Sequence, residues 1–197
     1  MSVSGVRYLL ASGSPRRREL LRQIGVQFDT VVSDVDEHIP PCEPRELVCA
    51  LAERKAEAVF EKDGSIPVIG ADTVVVLDGN VMGKPSDHAD AERMLRSLSG
   101  RTHDVYTGVC VIYRDAGARR VVLWDVCRTS VTFTDMSESD IAAYASSPEP
   151  YDKAGAYGIQ GLGAKYIEKI DGDYFNVVGL PLCRLAKLLA CVEESLG

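Results

Sequence analysis

Eight polar side chains interrupt otherwise apolar or structural runs in this sequence: Ser12, Ser14, Arg16, Arg17, Glu37, Lys55, Asp72 and Lys84. They divide by chemistry. Hydroxyls, guanidinium forks and ammonium groups suit a polyphosphate. Glu37 and Asp72 suit a hard divalent cation, Mg²⁺ or Mn²⁺, held by oxygen ligands with water completing its shell. Asp72 stands inside the apolar run 67–77, a pattern carried by strands buried on both faces. An ionised carboxylate there costs several kcal/mol unless a cation or hydrogen-bond donors meet it. Gly70 and Ala71, just before it, leave room for something to approach the backbone closely. An aspartate that merely ends a strand at a turn is the alternative, and the immediate return of Val74, Val75, Val76 and Leu77 weighs against it. The simplest reaction these groups support is metal-assisted attack of water on a phosphoanhydride. No covalent nucleophile stands out, because there is no Gly-x-Ser-x-Gly elbow and no histidine placed beside a serine or cysteine. A P-loop motif is absent too.

The elements that must carry these groups are legible from their punctuation. Residues 7–11 read as a strand, and 15–23 as a helix with Ser14 at the N-cap, Pro15 at the first helical position and Gly25 beyond the end. Arg16, Arg17 and Arg18 in its first turn oppose the helix dipole, so an anion is expected there; solvated surface arginines are the alternative, and Arg18 fits that description best. Residues 28–33 read as a second strand that leads into the acidic stretch around Glu37, either a solvated face or a shelf for a metal. A long helix over 44–60 has Leu47, Leu51, Ala58 and Val59 as its buried stripe. Lys55 falls on that stripe, where it either meets an anion or snorkels along the surface.

Past the central strand, Asp78, Gly79 and Asn80 form a tight hairpin turn that brings Lys84 back toward the level of Asp72. A covering helix over 87–98 buries Ala91, Met94, Leu95 and Leu98, and a long antiparallel hairpin follows over 102–113 and 119–133, with Trp124 in packing. Ser137 and Asp140 open a short helix by a capping box. The glycine- and alanine-rich stretch 151–161 suits a backbone folded around a small ligand, with Gln160 able to donate and accept. Residues 165–170 and 174–178 read as a second hairpin, and Pro181 starts a C-terminal helix buried through Leu185, Leu188, Leu189 and Val192.

Composition limits the classes of function. With 22 basic and 29 acidic residues the net charge is -7, which argues against a general nucleic-acid or membrane-surface binder, so a phosphate must be met by a local basic cluster. Six cysteines form no Cys-x-x-Cys pair, and His38, His88 and His103 are not spaced as metal ligands, a pattern of reduced, cytoplasmic chemistry. No apolar segment approaches the ~20 residues of a membrane span, and the N-terminal residues lack a signal peptide's apolar core. The 197 residues and 46% hydrophobic content suit one sizeable core, or one domain split into two lobes by a cleft.

Residues 11–17, Lys55, 70–73, 83–85, 98–103 and 152–161 together resemble the Maf family of nucleoside triphosphate pyrophosphatases, with the motifs in order along nearly the whole chain. The resemblance implies an α/β fold related to the inosine triphosphate pyrophosphatases: an elongated mixed sheet bent around a central cleft, with flanking helices, in a single domain of two lobes spanning 1–197. It implies hydrolysis of a nucleoside triphosphate to the monophosphate and pyrophosphate. It places Asp72 as the proton acceptor for the attacking water and as a metal neighbour, and it places Arg16, Thr73 and Gln160 at positions used to choose the base. The form Tyr157, Gly158, Ile159, Gln160 is similar to the branch acting on dTTP and UTP, whose shared O4 and N3–H edge a glutamine amide can read. Lys55, Lys84 and Arg17 are expected to stabilise phosphate charge, with Ser12 and Ser14 among the substrate contacts. Maf proteins are also associated with septum formation and cell-division arrest, so a nucleotide-sensing module is the rival from another class. A phosphohydrolase cleaving the terminal phosphate is a second. The sequence does not decide between a monomer and a homodimer.

Overall fold

The computed structural model describes residues 5–197; the first four residues of the N-terminal extension lie outside that range. Strands and helices alternate through the first part of the chain: β1 (Arg7–Leu10), α1 (Pro15–Gln23), β2 (Gln27–Thr30), α2 (Pro44–Phe60) and β3 (Val68–Leu77). Alternation of this kind makes parallel pairs. β1 pairs in parallel with β2 through Leu10↔Thr30 and with β3 through Leu10↔Ile69. β4 (Asn80–Met82) returns antiparallel along β3 across Asp78 and Gly79, whose φ values of 50° and 77° are those a two-residue hairpin requires. There follow α3 (His88–Leu98), β5 (Thr102–Arg114), β6 (Arg120–Phe133), α4 (Glu138–Ala145), β7 (Ile167–Asp171), α5 (Tyr174–Val178) and α6 (Leu182–Leu196), with short 3-10 turns at Pro150–Asp152, Ala154–Ala156 and Leu162–Tyr166. The hydrogen-bonded strand order is β2-β1-β3-β5-β6-β7, with β4 beside β3, a mixed sheet with helices in an α/β fold.

The described residues divide into two compact units, and β3, β5 and β6 each pass from one into the other. The first unit holds the chain up to Asp72 with Thr107–Cys127 and Gly179–Gly197. Its core joins Leu9, Ala11, Val68, Cys110 and Ile112 to Ala52, Ala56, Val59 and Phe60 of α2. α2 lies directly on strand backbone. A Cβ at Gly70 would run into the carbonyl oxygen of Ala52, and one at Gly108 into that of Val48. The close approach allowed by Gly70 is therefore that of a helix. It also explains a correction to the expected stripe: Val48, Ala52 and Ala56 face the sheet, while Leu47 and Ala58 are only half-buried. Leu188 of α6 is half-buried as well, with Leu182 taking its place in the stripe. Trp124 does not pack inward but is 54% exposed, because residues 120–125 at the turn end of β6 are exposed or half-buried throughout.

The second unit, Thr73–Tyr106 with Arg128–Val178, has a core of Val75, Leu95, Leu98, Val131, Phe133, Ile141 and Tyr157 among others. α3 buries Ala91, Met94, Leu95 and Leu98 as its spacing predicts, capped by Asp87, whose side chain accepts from the Asp90 amide. The expected second hairpin is overturned. Residues 174–178 are helical, and β7 pairs with β6 instead, through Ser130↔Asp171 and Val131↔Ile170. Asp173 decides this: its Oδ1 accepts from the Phe175 amide at 2.8 Å, a capping contact. The buried Asn176 side chain then donates to the Val105 carbonyl and the Thr129 hydroxyl at 2.9 Å each, which outweighs the strand propensity of the apolar residues around it.

His103 gives this unit a pH dependence. It is 3% exposed, its Nε2 lies 2.7 Å from the Tyr157 hydroxyl, and its ring meets Phe133 and Tyr157 edge-on. Burial lowers its pKa from 6.5 to about 4, with Asp104 opposing. The unfolded chain therefore takes up this proton first as pH falls. Stability is lost progressively from about pH 6.5 down to about pH 4, by up to about 3 kcal/mol. Urea midpoints measured between about pH 7.5 and 5 should fall with pH, and His103→Gln should flatten that slope; a slope unchanged by the substitution contradicts a neutral buried imidazole.

Candidate active site

β1 lies between β2 and β3, so the chain leaves it toward one neighbour first and the other later. In open parallel sheets such a switch point opens a crevice beyond the carboxyl ends of the strands, where ligands bind. Ser12 and Ser14 follow the end of β1, Glu37 lies on the segment after β2, and Asp72 stands three residues past Ile69, where the pairing with β1 ends.

Asp72 shares a face of β3 with Gly70, the residue that α2 covers. Lys55 is three residues beyond Ala52, about 4.5 Å along the helix, against about 6.6 Å from Gly70 to Asp72 along the strand. A lysine side chain spans the difference. Its Nζ donates to Asp72 Oδ1 at 2.6 Å and contacts Glu37 Oε1 at 2.8 Å. The side chains of Lys55 and Asp72 are 12% and 10% exposed, so Lys55 points inward to anions and does not snorkel; Glu37 reaches the pair from the surface at 61%. Arg54, the adjacent helical residue, donates to the carbonyl oxygens of Asp36 (2.6 Å) and His38 (3.0 Å), one on each side of Glu37. α2 thus holds the acidic loop by its backbone as well as by its carboxylate. Sequence reasoning missed Arg54, although an arginine beside an inward lysine was the available signal.

The arginine-rich turn is built around Ser12, which is 7% exposed. Its hydroxyl accepts from Arg17 at 3.1 Å and from the Ser14 amide at 3.3 Å, while Arg17 Nε donates to the Gly179 carbonyl at 2.9 Å. Ser14 occupies the N-cap position, but its side chain makes no capping bond, and no acidic residue stands in the first turn of α1. Burial lowers the pKa of Arg17; Asp72 opposes this, Arg16 adds to it, and Glu37 opposes it. A desolvated guanidinium in this position gains much from an arriving anion.

Of the expected residues, Ser12, Ser14, Arg17, Glu37, Lys55 and Asp72 are brought together within the first unit. Arg16 is half-buried beside Arg17. Thr73, Lys84 and Gln160 belong to the second unit. Thr73 follows Asp72 directly, so its side chain leaves the opposite face of β3. Lys84 is exposed after β4, and Gln160 is exposed on the loop before the last 3-10 turn.

Among the described residues no group of three or more His, Cys, Asp or Glu is arranged to hold a metal ion. Two carboxylates do converge, Asp72 and Glu37, and they meet at a single positive point, the Lys55 ammonium. Two carboxylates suit a hard divalent cation whose other positions are filled by phosphate oxygens and water.

A family model described as Maf-like protein matches residues 7–192. A protein named dTTP/UTP pyrophosphatase from Bacillus thuringiensis subsp. konkukian (strain 97-27) is 49% identical over 182 residues, 92% of this chain and 93% of its own length. One of the same name from Bacillus cereus (strain ATCC 10987 / NRS 248) is 50% identical over 182 residues, 92% of this chain and 87% of its own. Among solved structures, a HAM1 protein from Coxiella burnetii is similar with a TM-score of 0.51 at 17% identity, over 94% of this chain and 98% of that one. At that identity the likeness concerns the fold alone.

Proposed function

The chain belongs to the Maf-like protein family, and on that premise we propose that it hydrolyses dTTP and UTP to the monophosphate and pyrophosphate. What carries the reading is the contact of Lys55 with Asp72 and Glu37 at the carboxyl ends of parallel strands, beside a desolvated Arg17. The names of the relatives, dTTP/UTP pyrophosphatase, support the substrate.

Asp72 takes a proton from a water as that water attacks the α-phosphorus. A bond forms between the water oxygen and phosphorus, the bond to the bridging oxygen breaks, and pyrophosphate leaves with the electron pair. Lys55 donates to Oδ1 of Asp72, so the second carboxylate oxygen is the one to face water. Arg17, Lys55 and Lys84 meet the phosphate charge, the dominant contribution in phosphoryl transfer. Ser12 and Ser14 line the phosphate turn, while Arg16, Thr73 and Gln160 choose the base. Asp72 and Glu37 would hold a divalent cation, Mg²⁺ or Mn²⁺, which when bound neutralises phosphate oxygens and acidifies water. The span 1–197 is read as one catalytic domain, supported by the family match over 7–192. None of the six cysteines, all within the described residues, is in a disulfide, which favours a cytoplasmic setting. No helix of the described residues is long and apolar enough to cross a membrane.

Purified protein given dTTP or UTP with Mg²⁺ should release pyrophosphate and monophosphate in equal amounts, and EDTA should stop it. Diphosphate with orthophosphate would overturn the reading in favour of terminal-phosphate cleavage. Tight binding with no product at all would favour a nucleotide sensor.

A further inference from the structure

Gln160 is an exposed side chain on a stretch without regular secondary structure, a poor place from which to read a base unless something fixes the backbone beneath it. We propose that Glu149 is that fixture: its carboxylate is the internal template on which the loop 157–163 folds, and through the loop it positions Gln160 and sets base selectivity. The proposal rests on the base-reading role given to Gln160 above.

Both carboxylate oxygens are used inward. Oε2 accepts from the Leu162 amide at 2.7 Å, and Oε1 accepts from the Gly163 amide at 3.1 Å and from the Tyr144 hydroxyl at 2.7 Å. That hydroxyl in turn accepts from the Gly158 amide at 3.0 Å. Backbone N–H groups on both sides of Gln160 therefore hang from one carboxylate and phenol pair. The glycines fit the same account. A Cβ at Gly161 would run into Glu149 Oε2, and one at Gly158 would come to 2.9 Å from Oε1 and 2.7 Å from Lys153 Cε. The loop can wrap the carboxylate only where side chains are missing.

The template is itself anchored. Lys153 Nζ donates to the Glu149 carbonyl at 2.7 Å, and Tyr144, 3% exposed, packs its ring against Tyr166 at 5.8 Å. Burial pushes the Glu149 pKa up, but hydrogen bonds from Tyr144, Gly163 and Leu162, together with Lys153, outweigh it and hold the pKa below the usual glutamate value. A carboxylate that stays ionised with its oxygens engaged by three donors is a strut and not an acid or base.

Rigidity matters here for a chemical reason. Guanine presents the same acceptor and donor pair, O6 and N1–H, that thymine presents as O4 and N3–H, but farther from the sugar. A glutamine distinguishes them by where it stands.

The test compares Glu149→Gln, Tyr144→Phe and Gln160→Ala with the parent protein, using kcat and KM for dTTP and dGTP and hydrogen exchange of residues 157–163. Glu149→Gln should lower the dTTP-to-dGTP ratio of kcat/KM on the order of tenfold to a hundredfold. The loss should sit mainly in the KM for dTTP, with faster exchange at Gly158, Leu162 and Gly163. Should Glu149→Gln not fold, Tyr144→Phe, which removes the arm to Gly158 and one of the three donors to the carboxylate but leaves the Leu162 and Gly163 amides on Glu149, carries the same comparison. A ratio lowered by Gln160→Ala and untouched by the Glu149 and Tyr144 variants overturns the proposal. A ratio untouched by Gln160→Ala overturns the base-reading role instead. In that case the exchange data decide the template alone, and unchanged protection in Glu149→Gln removes it.

Discussion

Asp72→Asn is expected to lower dTTP turnover by about a thousandfold or more while leaving nucleotide affinity within about threefold, since general-base removal is worth roughly 10² to 10⁴. The substitution is nearly isosteric. The amide oxygen can still accept from Lys55, and Glu37 still supplies that ammonium with an anion, so the packing of α2 over Gly70 is undisturbed. What is lost is a group that can accept a proton from water and one of the two carboxylates proposed to hold a divalent cation, so the affinities are compared without added metal. Single-turnover rates with dTTP, beside equilibrium binding of a non-hydrolysable analogue, separate the two quantities. Turnover close to that of the parent chain would remove Asp72 from the chemistry.

Lys55→Met comes second in size. It leaves Asp72, at 10% side-chain exposure, facing Glu37 with the shared ammonium gone. Breaking a buried ion pair by removing one partner costs roughly 3 to 5 kcal/mol. Glu37 is mostly exposed and can turn to solvent, so a loss of about 2 kcal/mol is expected in urea unfolding without divalent cation. Turnover should fall about a hundredfold. Added Mn²⁺ should raise the melting temperature of this variant more than that of the parent, because it supplies the positive charge the two carboxylates have lost. A Lys55→Met protein with parental stability and turnover would reduce Lys55 to a surface side chain.

Much of this fold is written in local signals. Proline at the start of α1 and α2, glycine beyond α1, and apolar spacing in α3 mark those helices, and continuous apolar residues mark β3. The anomalies were informative because they broke those patterns: Asp72 in an apolar strand and Lys55 on a buried stripe prove to be each other's partners. Periodicity could not show that pairing, because it depends on two glycines, 38 residues apart, that let α2 settle onto β3 and β5. Tyr174–Val178 was misread for the converse reason, an apolar composition whose backbone is decided by one capping aspartate and one buried amide. Glu149 was invisible in sequence, since nothing local distinguishes a glutamate that accepts from three donors from one that faces water.

Hydrolysis of dTTP in oxygen-18 water tests the central claim most directly. Attack at the α-phosphorus predicts one labelled oxygen in thymidine monophosphate and none in pyrophosphate. Label in pyrophosphate or orthophosphate, with unlabelled nucleotide, would contradict it.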